Sequence, residues 1–207
     1  MVRAFVPAIV TDMRRAVIGI LALLGCFVGS GAALAHGGSV SGGFLGGLAH
    51  PLFGADHIAA MVAVGLWGAF LGPPAIYILP IVFPLVMAGG AVLGILGVPV
   101  PAVEIGIAVS AAVLGLMVAL AAKPPLSVAA VIVGAFAIFH GHAHGAELPP
   151  NVDALAFAAG FVVATGCLHL SGIAFGLLAH WPMGRIAVRT AGGVIALAGL
   201  MFLGRLP

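Results

Sequence analysis

His50-Pro51-Leu52-Phe53-Gly54-Ala55-Asp56-His57 places two imidazoles and a carboxylate within eight residues of an otherwise apolar segment. From His57 to Trp67, ten residues on, nothing else is ionisable. A carboxylate in hydrocarbon costs about 3 kcal/mol or more, so Asp56 needs a partner or a purpose. Pro51 and Gly54 loosen a helix here, which frees backbone carbonyls and makes room for a ligand. On a straight helix, His50 and His57 fall within about 20° of one face, two turns apart, and Asp56 lies about 100° round from His57. Counting about 1.5 Å per residue from Phe44 sets Asp56 about 18 Å deep, near mid-membrane. Asp56 can then serve as a ligand or as the carboxylate that orients an imidazole. The plainer reading is a structural Asp–His pair that fixes helix packing; two histidines and an aspartate around a Pro/Gly break favour a metal station.

Composition agrees with a membrane setting. Of the 207 residues, 63% are hydrophobic and 6% charged, with a mean hydropathy of +1.33. Soluble domains carry about 25% charged residues. An all-α polytopic membrane protein is the expectation. Eight histidines against seven Lys plus Arg and five Asp plus Glu are the anomaly, because a chain that avoids charge has kept imidazole. The basic residues are scattered rather than patched, so nothing points to nucleic acid and none is expected as a partner. Two cysteines, Cys26 and Cys167, without zinc-finger spacing leave nitrogen and oxygen as the main donors for any metal.

Residues 1–35 read as a secretory signal peptide: Arg14 and Arg15, an apolar run from Ala16 to Val28, then Ala33-Leu34-Ala35 as the cleavage site. An uncleaved first helix and lipidation at Cys26 are the competing readings. Cleavage after Ala35 would expose His36, whose α-amine and ring nitrogen could chelate a metal together. Residues 36–207 then form one transport domain, a bundle of six transmembrane helices near 44–71, 75–97, 103–122, 126–143, 152–174 and 186–206. Gly72-Pro73-Pro74, Pro99 with Pro101, Lys123-Pro124-Pro125, Pro149-Pro150 and Trp181-Pro182 punctuate them. The fourth span is short, so its end is expected to line a cavity. A cleaved leader puts the mature N-terminus in the periplasm. Lys123, Arg185 and Arg189 then face the cytoplasm, as the positive-inside rule asks, with Arg205 the exception. Glu104, Glu147 and Asp153 face outward. Gly90 with Gly94 and Gly172 with Gly176 have the spacing of tight helix contacts.

A second constellation is Phe139-His140-Gly141-His142-Ala143-His144-Gly145-Ala146-Glu147. If the helix continues, His140, His144 and Glu147 share a face and His142 opposes them. Two glycines weaken that helix, and a loop wrapping a cation is the alternative. Imidazole with carboxylate suits divalent Ni, Co, Zn or Cu rather than Mg or Ca. A His-rich loop of no specificity is the plainer reading.

Together these stretches resemble the HupE/UreJ nickel/cobalt permeases. His50-Pro51-x-x-Gly54-x-Asp56-His57 is similar to the family signature HPxxGxDH, and residues 139–147 to FHGHAHGxE. Glu104-x-Gly106-Ile107-Ala108-x-Ser110 also resembles the family's third helix. The resemblance implies secondary transport of Ni2+ or Co2+ across a bacterial inner membrane, with His50, Asp56, His57 and Glu147 as functional residues. Partners expected on this reading are the metal ion, the bilayer and, for onward handover, cytoplasmic metallochaperones.

His169, deep in the fifth span, is expected to face a cavity. Cys167 reads as a small apolar filler, His180 as interfacial, and Glu104 as either an entrance or a snorkelling group. By depth, His36, His142, His144 and Glu147 would capture the ion, His50, Asp56 and His57 would receive it, and His169 would pass it inward. No P-loop is present to couple ATP. The rival reading is an intramembrane zinc hydrolase, which also gathers Asp and His, but protease spacings such as His-x-Glu-x-x-His are absent.

Protonated imidazole cannot bind metal, and free imidazole titrates near pH 6.5. Metal uptake measured against external pH should therefore weaken at acid pH, and a rate unchanged down to about pH 5 would count against histidine ligation.

Overall fold

The computed structural model describes residues 43–148 and 151–206. The proposed leader, His36 and Cys26 lie outside the described residues. Within them the elements are helical: α1 (Gly43–Ala49), a 3-10 turn (His50–Leu52), α2 (Ala55–Leu71), α3 (Ala75–Ile95), α4 (Val103–Ala119), α5 (Leu126–Ala146), α6 (Ala154–Gly176) continuing into a second 3-10 turn (Leu177–His180), and α7 (Pro182–Leu203).

Four of these, α3, α5, α6 with its extension, and α7, are long and apolar enough to cross a membrane. The chain is a multi-pass membrane protein. Six straight spans are not what length and composition support, however. α1 and α2 qualify only as a pair, bent by 82°, which makes five. The bend has a local cause: Pro51 opens a 3-10 turn, and Gly54 is extended (φ −92°, ψ 108°) ahead of α2. The straight-helix reckoning of face and depth for His50 and Asp56 therefore fails. α4 has 17 residues and stops at Leu120, followed by Ala121 at φ 55°. α5 departs the other way. It runs for 21 residues, straight through His140 and His144, and is not the short segment expected.

Helix ends follow the punctuation. α2 stops at Gly72, whose φ of 78° lies in the left-handed region, just before Pro73 and Pro74. Asp153 caps α6, its Oδ1 accepting from the amides of Leu155 (3.0 Å) and Ala156 (3.1 Å).

Packing explains why α5 tolerates two glycines. In lipid, helices gain nothing from hiding apolar surface from one another, so association rests on close contact through small residues. A Cβ on Gly141 would run into the Met87 carbonyl, and one on Gly145 into that of Ala91. Reciprocally, Gly90 and Gly94 of α3 lie under the carbonyls of Ile138 and His142. Gly65 and Gly172 knit α2 to α6 in the same way, Gly115, Gly192 and Gly199 knit α4 to α7, and Gly47 with Gly160 seats α1 on α6. The spacings Gly90–Gly94 and Gly172–Gly176 do lie at helix crossings. α2 forms the centre: Ala60, Met61, Ala63, Val64 and Trp67 are 0% exposed. Trp67 donates its indole N–H to the Ala122 carbonyl at 3.0 Å, tying α2 to the end of α4.

Gly141→Ala should lower the thermal midpoint of the detergent-solubilised protein, by an overpacking cost of about 1–3 kcal/mol. Gly89→Ala, where nothing lies within 4 Å, should hold it or raise it, because alanine is the better helix former. Equal loss from both would mean that the crossing is not under this constraint.

Candidate metal centre

The bend after α1 and the last turn of α5 meet at one end of the bundle. There they form an open cleft of about 240 Å³ whose polar lining is His50, Asp56, His57, Glu104, His144 and Glu147. His50 and His144 meet across it, Nε2 to Nδ1 at 3.0 Å, and Glu147 Oε2 lies 3.7 Å from the same His50 nitrogen. One donor atom from each of His50, His144 and Glu147 falls within 4.8 Å of the other two. Metal–nitrogen and metal–oxygen bonds of about 2.0–2.2 Å span such separations after small side-chain shifts. Behind this group stand His57 and His140. Ring centroids are 4.4 Å apart for His57 and His144, and 4.7 Å apart for His57 and His140. Phe161 of α6 packs on His144 at 4.3 Å and Phe157 on His50 at 5.6 Å, an aromatic backing behind two of the cleft's histidines.

Proton positions follow from the partners. Asp56 Oδ1 lies 2.9 Å from His57 Nδ1 and also accepts from the His57 amide at 2.8 Å. A carboxylate only accepts, so Nδ1 carries the proton and Nε2 keeps its lone pair. Ser110 gives its single hydroxyl proton to the Ile107 carbonyl at 2.6 Å, and so accepts from His140 Nε2 at 2.8 Å. His140 Nδ1 is then the free nitrogen. His169 donates from Nδ1 to the Met61 carbonyl at 2.8 Å. The three nitrogens left with lone pairs, His57 Nε2, His140 Nδ1 and His169 Nε2, are buried and have no partner among the described residues. An imidazole whose proton is tied back by an oxygen, with its other nitrogen bare, is the arrangement of a metal ligand. Gly54 makes room for the Asp56–His57 pair: a Cβ there would sit 2.8 Å from His57 Nδ1 and 2.9 Å from Asp56 Oδ1.

The expected residues divide accordingly. His50, Asp56, His57, His140, His144 and Glu147 come together. His142 does not: on the opposite face of α5, its Nε2 donates to the Val98 carbonyl at 2.8 Å in the α3–α4 connection. His169 is buried at 1% exposure outside the cleft. Its ring centroid lies 5.4 Å from Phe83, whose ring is 5.5 Å from His140. Glu104 lines the cleft from the first turn of α4. Sequence reasoning missed the role of Ser110 as the acceptor for His140; a serine in an apolar helix was the available signal. The aromatic wall from α6 had none, since Phe157 and Phe161 look like any lipid-facing phenylalanines.

Comparison with known proteins gives one family. The profile described as HupE / UreJ protein matches residues 22–202. Protein HupE of Rhizobium leguminosarum bv. viciae is 50% identical over 169 residues, covering 82% of this chain and 88% of that one. No solved structure matches.

Titration of the purified protein with Co2+, followed by its visible absorption, should show binding that His50→Ala, His144→Ala and Glu147→Ala each abolish. Asp56→Asn, which leaves a ligand poorly oriented, should weaken it about 10–100-fold. His142→Ala should bind like the unaltered chain; a loss as large as that of His144→Ala would overturn this grouping.

Proposed function

Because the chain belongs to the HupE/UreJ family, we propose that it is a secondary transporter taking up Ni2+ or Co2+ across the bacterial inner membrane. One observation carries the reading: two signatures about ninety residues apart in sequence (His50 to His144 is |i−j| = 94) converge on one cleft. Together they offer imidazole and carboxylate, a donor set that suits divalent late transition metals.

In this reading a hydrated ion is captured by Glu147, His50 and His144, which exchange some of its water for protein ligands. For both facing nitrogens to ligate, the proton between His50 and His144 moves to the far nitrogen of its own ring. His57 and His140, each with a buried and unpartnered ring nitrogen, take the ion next, and His169 receives it deeper in the bundle. Several modest sites in series favour conduction over retention. His36, at a mature N-terminus freed by cleavage after Ala35, would add an outer collecting group. α4 and the bent α1–α2 pair supply the fifth and sixth crossings, α4 as a short one. Lys123, Arg185 and Arg189, at the bundle end away from the cleft, favour a cytoplasmic inner face and a periplasmic cleft. Handover to a cytoplasmic metallochaperone completes the path. The family match gives the zinc-hydrolase alternative no support.

The test is uptake of radioactive nickel and cobalt into proteoliposomes. The intact chain should transport one or both, and Asp56→Ala and Glu147→Ala should each abolish the flux. Flux that survives both changes would remove the cleft from the path. Absence of flux in the intact chain, with zinc retained through purification, would overturn transport itself.

A further inference from the structure

The charges of this protein are sorted by end. Of its five acidic residues, Asp56, Glu104, Glu147 and Asp153 lie at the cleft end, and the fifth, Asp12, is outside the described residues. At the opposite end, Lys123, Arg185, Arg189 and His180 line a second cavity of about 540 Å³. Phe70 and Leu71 from the end of α2 and Ala179 from the turn after α6 give it apolar walls. Arg189 is anchored there, its Nε donating to the Ala119 carbonyl at 2.7 Å, and Lys123 Nζ lies 5.4 Å from the Phe70 ring centroid. Among the described residues no carboxylate forms an ion pair with any of the three cations.

Three like charges around one cavity repel one another, and no carboxylate among the described residues offsets them. A phosphate group would, and guanidinium matches its oxygens in pairs. We infer that this cavity is an anion site that takes the phosphate of an anionic phospholipid headgroup. The source follows from position. The cavity opens where the helices leave the apolar layer, beside Trp181, which is 40% exposed and of the type enriched at membrane interfaces. Its apolar walls suit the glycerol and upper acyl carbons of a lipid better than a free ion. Basic pockets between helix ends on the cytoplasmic side hold lipid headgroups by this physics. The inference needs the membrane setting and not the metal path. It also resolves an awkward feature of that path, because an uncompensated triple positive charge would oppose a divalent cation leaving at this end.

The experiment is native mass spectrometry of the purified full chain in neutral detergent, titrated with phosphatidylglycerol or phosphatidylcholine. Phosphatidylglycerol should be retained and phosphatidylcholine not. Lys123→Gln combined with Arg185→Gln should weaken retention about thirtyfold, about fivefold per cation removed. Arg189 is left in place because it holds α7 to α4, and an unchanged melting temperature would show that the double variant is folded. Arg205→Gln, a cation at the other end, should retain phosphatidylglycerol fully. Equal retention of the two lipids, or undiminished retention by the folded double variant, would overturn the site. Displacement of phosphatidylglycerol by millimolar inorganic phosphate would keep the anion chemistry but overturn the lipid as its source.

Discussion

The site depends on where the imidazole protons are held. An imidazole has two nitrogens and, when neutral, one proton; it can bind a cation only if the proton is kept on the far side. Asp56, the Ser110 hydroxyl and the Met61 carbonyl each hold one such proton, for His57, His140 and His169. His50 and His144 face each other directly, so one ring's proton lies between them and the other ring's is on its far nitrogen. The acceptors come from α2 and α4, so the electronic state of the cleft is set by packing some distance from it. Ser110 shows how indirect this is. Its hydroxyl is spent on the carbonyl of its own helix one turn back, and this makes its oxygen an acceptor for a histidine thirty positions along the chain (|i−j| = 30).

The bend at residues 50–54 performs a second task. Straight helices would carry His50 and His57 along one line, about 10 Å apart in height. By turning 82° between them, the chain lets both line the same cleft beneath the end of α5. Pro51 removes a hydrogen bond that a continuous helix would need, and Gly54 leaves the volume that the Asp56 carboxylate and the His57 ring occupy. The break and the cleft are one feature.

Much of this was legible in the sequence. Composition and hydropathy gave the membrane class, and the two His-rich stretches named six of the residues that meet. The sharing of one face by His140, His144 and Glu147 was likewise readable once α5 was taken to continue. Tertiary packing decided the rest. Gly141 and Gly145 argued against a helix by intrinsic propensity, yet they are the residues that let α5 lie against α3, and the contact outweighs the propensity. His142 sits in the same motif but is turned to the Val98 carbonyl, a partner in a connection that no local pattern specifies. The failure of the straight-helix depth for Asp56 has the same origin: spacing gives angles only while the helix lasts.

The glycine-lined crossings have a mechanical meaning. Where backbone meets backbone with no side chain between, two helices cannot slide without collision, so α2 with α6, α3 with α5, and α4 with α7 behave as three stiff struts. The two His-rich stretches are divided between two of them: His50, Asp56 and His57 travel with the first, and His140, His144 and Glu147 with the second. A hinge motion between these struts must therefore change the separation of His50 from His144 and Glu147. The spacing of the donors and the posture of the bundle are then a single coordinate, and changing one moves the other.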